Sequence, residues 1–139
     1  MKNLRLNPFI LVAEDDLDDK FLLETMFKET GQQASLEFVY NGYELLKTLD
    51  NIYASGNMNK FPDLILLDLN MPKMDGKEAL KKIKDNNVYA TIPVIVLSTA
   101  TNEKEIKDCY ELGADSYIVK PSSFNSFINI IESIKVYLD

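Results

Sequence analysis

The sequence predicts an α/β protein in which five strand–helix units share one parallel sheet. Three observations carry that prediction. Short apolar runs of strand length recur along the chain, bounded by turn formers, as at Phe9-Ile10-Leu11-Val12-Ala13. Between them lie longer segments whose apolar residues return at helical spacing. The third run, Leu64-Ile65-Leu66-Leu67, is apolar without alternation, as expected of a strand covered on both faces. Strands that alternate with helices argue for a parallel sheet with helices on both sides.

The first strand, Phe9 to Ala13, runs straight into Glu14-Asp15-Asp16. Three acids abutting a buried strand are costly unless their charge is answered. Asp16 is placed to cap the next helix, whereas Glu14 and Asp15 come too early for capping alone. That helix covers Leu17 to Thr30, with Phe21, Leu22, Leu23, Met26 and Phe27 as its apolar face and Gly31 as its stop. Leu36-Glu37-Phe38-Val39-Tyr40 alternates partly and reads as an edge strand. Asn41 and Glu44 form a capping-box-like pair, and Leu45, Leu46, Leu49, Ile52 and Tyr53 make the inner face of the second helix.

A polar connection over residues 54–61 leads to the third strand, which ends on Asp68. Met71-Pro72 and Asp75-Gly76 mark the following loop. The third helix carries Ala79, Leu80 and Ile83, with lysines 77, 81, 82 and 84 as a solvated face. The fourth strand covers Ile92 to Leu97 and leads into Ser98-Thr99-Ala100. A helix capped by Asn102 turns Ile106, Cys109 and Tyr110 inward and stops at Gly113, with Cys109 a packed thiol. Ser116-Tyr117-Ile118-Val119 is the fifth strand and ends on Lys120-Pro121. Ser122-Ser123 caps a last helix bearing Phe124, Phe127, Ile128, Ile131, Ile134 and Leu138. Right-handed crossovers limit the topology, and the expected arrangement is a flavodoxin-like, doubly wound sheet of order 2-1-3-4-5 with five helices on its two faces, and ligands at the carboxyl ends of strands one and three.

The 139 residues fit a single domain, 1–139, with its core from about residue 8. No segment is apolar over a bilayer-spanning length, and the amino terminus does not read as a signal peptide. One cysteine permits no intrachain disulfide, so a reducing cytoplasm is the expected setting. The net charge of -7 and the lack of a basic run argue against nucleic-acid binding. The chain has no histidine, so any phosphoryl chemistry of its own must fall to a carboxylate.

Placement along the sheet then defines a constellation. Strand one ends on Glu14-Asp15 and strand three on Asp68, while strands four and five end on Ser98 and Lys120 at the same edge. One strand-end acid is ordinary. Acids on both switch-point strands, with a hydroxyl and a lysine on the next two, are hard to explain as packing. Clustered carboxylates repel, and a hard divalent cation such as Mg²⁺ relieves that repulsion. A carboxylate can also be the nucleophile that forms an aspartyl-phosphate, with Lys120 and Ser98 answering the phosphoryl charge.

Four motifs, Val12-Ala13-Glu14-Asp15-Asp16, Leu66-Leu67-Asp68-Leu69-Asn70-Met71-Pro72-Lys73-Met74-Asp75-Gly76, Val96-Leu97-Ser98-Thr99-Ala100 and Gly113-Ala114-Asp115-Ser116-Tyr117-Ile118-Val119-Lys120-Pro121, stand in one order and spacing. In these the chain resembles the receiver domain of two-component response regulators. The resemblance implies that Asp68 is the phosphoacceptor, and that Mg²⁺ is held by Asp15, Asp68, the Asn70 carbonyl and, mostly through water, Glu14. It implies that Lys120 pairs with the phosphoryl group and precedes a cis Pro121. Ser98 and Tyr117 would be the switch residues. The implied donor is a sensor histidine kinase or phosphotransfer protein, and the implied output is another protein or a homodimer. The 54–61 loop and Ser98-Thr99-Ala100 resemble stand-alone receivers serving phytochrome-type kinases, where Thr99 would restrict access to Asp68.

Two other readings compete with a signalling module. An Mg²⁺-dependent phosphatase with an aspartyl-phosphate would carry a second acid two residues after its nucleophile, where this chain has Asn70. A flavin carrier of the same fold would need a phosphate loop after strand one, where this chain is acidic.

Overall fold

The structure, a computed structural model, describes residues 7–69, 75–121 and 124–138, and the side chains of 124–127 lie outside that description. Its strands are β1 (Phe9–Ala13), β2 (Ser35–Val39), β3 (Leu64–Asp68), β4 (Val94–Ser98) and β5 (Ser116–Val119). Its α-helices are α1 (Leu17–Thr30), α2 (Gly42–Ser55), α3 (Gly76–Asp85), α4 (Glu103–Glu111) and α5 (Phe124–Ile134). The sheet has the predicted order β2-β1-β3-β4-β5, and every pairing is parallel.

Side-chain alternation along the strands divides the core in two. Leu11, Ala13, Ile65, Leu67, Val94 and Val96 face α2, α3 and α4 through Leu45, Leu49, Ala79, Leu80, Ile83 and Cys109. Ile10, Val12, Leu64, Leu66, Ile95 and Leu97 face α1 and α5 through Leu23, Met26, Phe27, Ile130, Ile131 and Ile134. β3 and β4 are buried at every residue, which is why their sequences do not alternate. Among the described residues no helix is long and apolar enough to cross a membrane.

Capping follows the sequence closely. The Asp16 carboxylate accepts the amides of Asp18 and Asp19, and Asn102 accepts that of Glu105. Asn41 accepts the Glu44 amide, while the Glu44 carboxylate reaches back to the Tyr40 amide rather than that of Asn41. Gly31 ends α1 with φ at 71°, in the left-handed region. The predicted Ser122-Ser123 cap lies outside the described residues.

Several expectations are corrected. Phe21 is exposed, because it stands two residues before Leu23 and so on the opposite side of α1. Tyr53 and Tyr110 are about half exposed. Residues 54–61 are not one open loop: α2 continues to Ser55, and a 3-10 turn covers Met58–Lys60. Lys84 is not part of a solvated face. Its ammonium donates to the carbonyls of Ala90 and Ile92 and pairs with Asp115 at 3.1 Å, since its long stem reaches the start of β4. No cis peptide bond occurs among the described residues, so the bond from Lys120 to Pro121 departs from the expectation. An X–Pro bond favours trans by about 0.5–1 kcal/mol unless its surroundings select otherwise.

Cys109 is fully buried, as expected of a packed thiol, and that burial pushes its pKa up to about 11. Only about one thousandth would be thiolate at pH 8. Iodoacetamide at pH 8 is therefore expected to leave the native protein unlabelled and to label it fully in denaturant. Rapid native labelling would overturn the assignment. The folded thiol holds its proton more tightly than the unfolded one. Its contribution to stability is thus complete below the ordinary thiol value and is lost as pH rises through about 11.

Candidate functional site

The carboxyl ends of the strands bring the singled-out residues together. Glu14 follows β1 directly, and its amide continues the ladder by donating to Val39 at 2.9 Å. Asp68 closes β3 opposite Leu97. Ser98 closes β4 opposite Val119, and its carbonyl accepts the Lys120 amide at 2.7 Å. Parallel strands in register thus deliver two acids, a hydroxyl and a lysine to one edge.

The carboxylates of Glu14, Asp15 and Asp68 each offer an oxygen within 4.8 Å of the others. Glu14 and Asp68 are buried, at 1% and 5% exposure, while Asp15 is open to solvent. The Lys120 ammonium donates to Glu14 Oε1 and to Asp19 Oδ2, both at 2.8 Å, and stands 3.4 Å from Asp68 Oδ2. Burial holds the Glu14 carboxyl well above the ordinary range. The Lys120 hydrogen bond pulls the other way, and nearby Asp68 adds to the rise. Burial alone would lower the Lys120 pKa, but hydrogen bonds to Asp19 and Glu14 outweigh it and raise the value. One ammonium does not balance the acids around it.

A cleft of about 600 Å³ opens above this cluster, lined by Asp15, Asp16, Leu17, Asp18, Asp19, Asp68, Thr99 and Lys120. Its polar groups are nearly all anionic and its donor atoms are oxygens. That set fits a hard divalent cation and does not fit a free anion. A groove of about 680 Å³ at the other end of β1 and β2, lined by residues including Phe9, Ser35 and Ile52, gathers no such cluster.

Ser98 lies behind the cleft wall, at 1% exposure, with its hydroxyl accepting the Ala100 amide at 3.1 Å. Tyr117 is half-buried, and its hydroxyl donates to the Ala100 carbonyl at 2.7 Å. Ser98 and Tyr117 therefore both engage the backbone of Ala100. The Tyr117 amide donates to the Tyr110 hydroxyl, which ties β5 to α4. Asn70, expected to offer its carbonyl to the cation, lies outside the described residues.

The sequence reading missed Asp19. The signal present was weak: Asp19 falls in the first turn of the helix that Asp16 caps, next to the acids that end β1. Gly76 was read only as a turn former. Its amide donates to the Leu69 carbonyl at 3.0 Å, so α3 begins against the end of β3.

With this geometry in view, the similarities to known proteins fall in one place. The family model described as the response regulator receiver domain matches residues 10–132. The probable methanogenesis regulatory protein FilR2 of Methanothrix harundinacea is 34% identical over 132 residues, covering 94% of this chain and 84% of its own. The crystal structure of the phosphorylated cyanobacterial phytochrome response regulator RcpA superposes with a TM-score of 0.82 at 34% identity, covering 93% of this chain and 91% of its own. The Mn²⁺-bound form of the response regulator Rcp1 superposes with a TM-score of 0.80 at 32% identity, covering 92% and 91%.

Proposed function

This chain belongs to the response regulator receiver family, and from that premise we propose that Asp68 accepts a phosphoryl group from a histidine kinase or phosphotransfer protein in a reaction supported by Mg²⁺. The observation that carries the assignment is the buried carboxylate of Asp68 at the base of the cleft, beside Glu14, Asp15 and Lys120. Asp15 and Asp68 would hold the cation with Glu14 behind them, as the Mn²⁺-bound relative Rcp1 supports. The Asn70 carbonyl would complete the set. When bound, Mg²⁺ supplies positive charge to the phosphoryl oxygens.

The protein's residues do the rest. An Asp68 oxygen forms a bond to phosphorus as the donor's P–N bond breaks, and the leaving imidazole takes a proton from water. Lys120 pairs with the transferred group from its place 3.4 Å from Asp68. Ser98 breaks its bond with the Ala100 amide to reach a phosphoryl oxygen, and Tyr117 fills the space behind it. Their shared contact at Ala100 links that motion to β5 and α4, which with α5 would form the surface that meets the output partner, whether another protein or a second copy of this chain. The presence of a signalling receiver, rather than a phosphatase, fits the position two residues after Asp68, which holds Asn70 and no acid.

Incubation with phosphoramidate and Mg²⁺ tests the reading. One phosphoryl adduct is expected, absent when the cation is chelated. Borohydride reduction followed by peptide mass spectrometry should place it at residue 68. An adduct elsewhere, or none in a protein that binds Mg²⁺, would sink the assignment. Thr99 lines the cleft beside Asp68. Thr99→Ala is therefore expected to raise the phosphoramidate rate and the rate of adduct loss by about two- to fivefold, since both need access to the same atom. Unchanged rates would remove Thr99 from that role.

A further inference from the structure

We propose that Asp19 is a positioning residue that holds Lys120 back from Asp68 before phosphorylation, and so sets how readily the phosphorylated state forms. The inference rests on the phosphoacceptor reading above and concerns the regulation of that same site. Lys120 has three donor hydrogens. Two go to Glu14 and Asp19 at 2.8 Å, while Asp68 stands farther off at 3.4 Å. The ammonium is thus drawn toward β1 and α1, away from the carboxylate it is to serve.

The two holding partners are not equal. Glu14 lies at 1% side-chain exposure beneath the cluster, and Asp19 at 23% faces the cleft. Returning a buried carboxylate to an unpaired state is costly, whereas Asp19 can exchange its ammonium for water. A phosphoryl group on Asp68 would therefore take Lys120 from Asp19 while the bond to Glu14 persists. Asp19 stands in the first turn of α1 beside Asp18, and both would favour the helix dipole equally. Only Asp19 reaches Lys120. The paired acids hence separate a competing contact from a general effect of charge.

The test is beryllofluoride binding, by calorimetry, at saturating Mg²⁺ so that cation affinity does not enter. Asp19→Asn is expected to bind about 3- to 10-fold more tightly than the wild type, because a charged hydrogen bond that competes for Lys120 has gone. Asp19→Ser should reproduce the gain, and Asp18→Asn should change affinity by less than about twofold. A merely structural role cannot produce this result, since damage to the helix would weaken binding. Unchanged or weaker binding by Asp19→Asn overturns the inference while leaving the phosphoacceptor reading intact. Equal gains from Asp18→Asn and Asp19→Asn also overturn it, in favour of bulk charge. Wild-type protein that neither binds beryllofluoride nor forms the phosphoramidate adduct overturns both.

Discussion

Asp68→Asn is expected to form no phosphoryl adduct, to lose at least about tenfold in divalent-cation affinity, and still to fold. Each part has its own cause. An amide keeps the shape of the side chain but is no nucleophile toward phosphorus, so the bond cannot form. It also removes one charged oxygen from a set of three within 4.8 Å. The fold is expected to persist because the amide keeps the side chain's shape and relieves the crowding of two buried carboxyl groups. Asp68 is 5% exposed and lies beside Glu14, whose carboxyl its charge disturbs. The 3.4 Å contact to Lys120 is weakened, but Lys120 keeps two shorter bonds. Cation-free stability should rise by about 1 kcal/mol, read as an upward shift of the melting temperature. Intact mass, cation titration and a melting curve check the three parts. An adduct on Asp68→Asn of wild-type size would end the assignment, and a large fall in melting temperature would show that Asp68 is chiefly structural.

Gly76→Ala is expected to cost about 2–3 kcal/mol of stability and to slow the phosphoramidate reaction as well. A β-carbon at this position would lie 2.5 Å from the Leu69 Cα and 2.6 Å from the Asp68 carbonyl oxygen. Both neighbours are backbone, which cannot swing aside as a flexible side chain can. The end of β3 or the start of α3 must shift, and Asp68 moves with it. Gly31→Ala provides the contrast. There the φ of 71° strains any residue with a β-carbon, but nothing lies within 4 Å. It should cost about 1–2 kcal/mol and leave the phosphoramidate rate unchanged. Urea denaturation and adduct kinetics on both variants separate the two causes. Equal kinetics for Gly76→Ala and the wild type would show that α3 is not what holds Asp68 in place.

The strand ends were legible because their signal is local. Apolar runs that stop at Glu14, Asp68, Ser98 and Lys120 mark where each strand leaves the sheet, and parallel connection puts those stops on one edge. Helix caps were legible for the same reason, since Asp16, Asn41 and Asn102 bond amides two or three residues away. The width of each helix's buried face was not. Phe21 and Tyr110 have the right chemistry for a core and yet stand about half or more in solvent. Lys84 has the wrong chemistry for one and anchors three oxygens. Which side a borderline residue takes depends on how neighbouring helices pack, and periodicity does not encode that.

The alternation of strands and helices, and the acids, hydroxyl and lysine of the working edge, are written in the chain's local pattern. Apolar runs and their end residues are short-range signals, and right-handed parallel connections narrow the possible strand orders to a few. How those groups share their charges is a property of the folded chain: Lys120 sits nearer Glu14 and Asp19 than Asp68, Ser98 and Tyr117 meet at Ala100, and Gly76 rests on the backbone of Asp68. Lys120 and Asp19 are separated by 101 residues, and no local pattern reports a contact across that distance. It exists because β1, β3 and β5 end in register and α1 begins beside them.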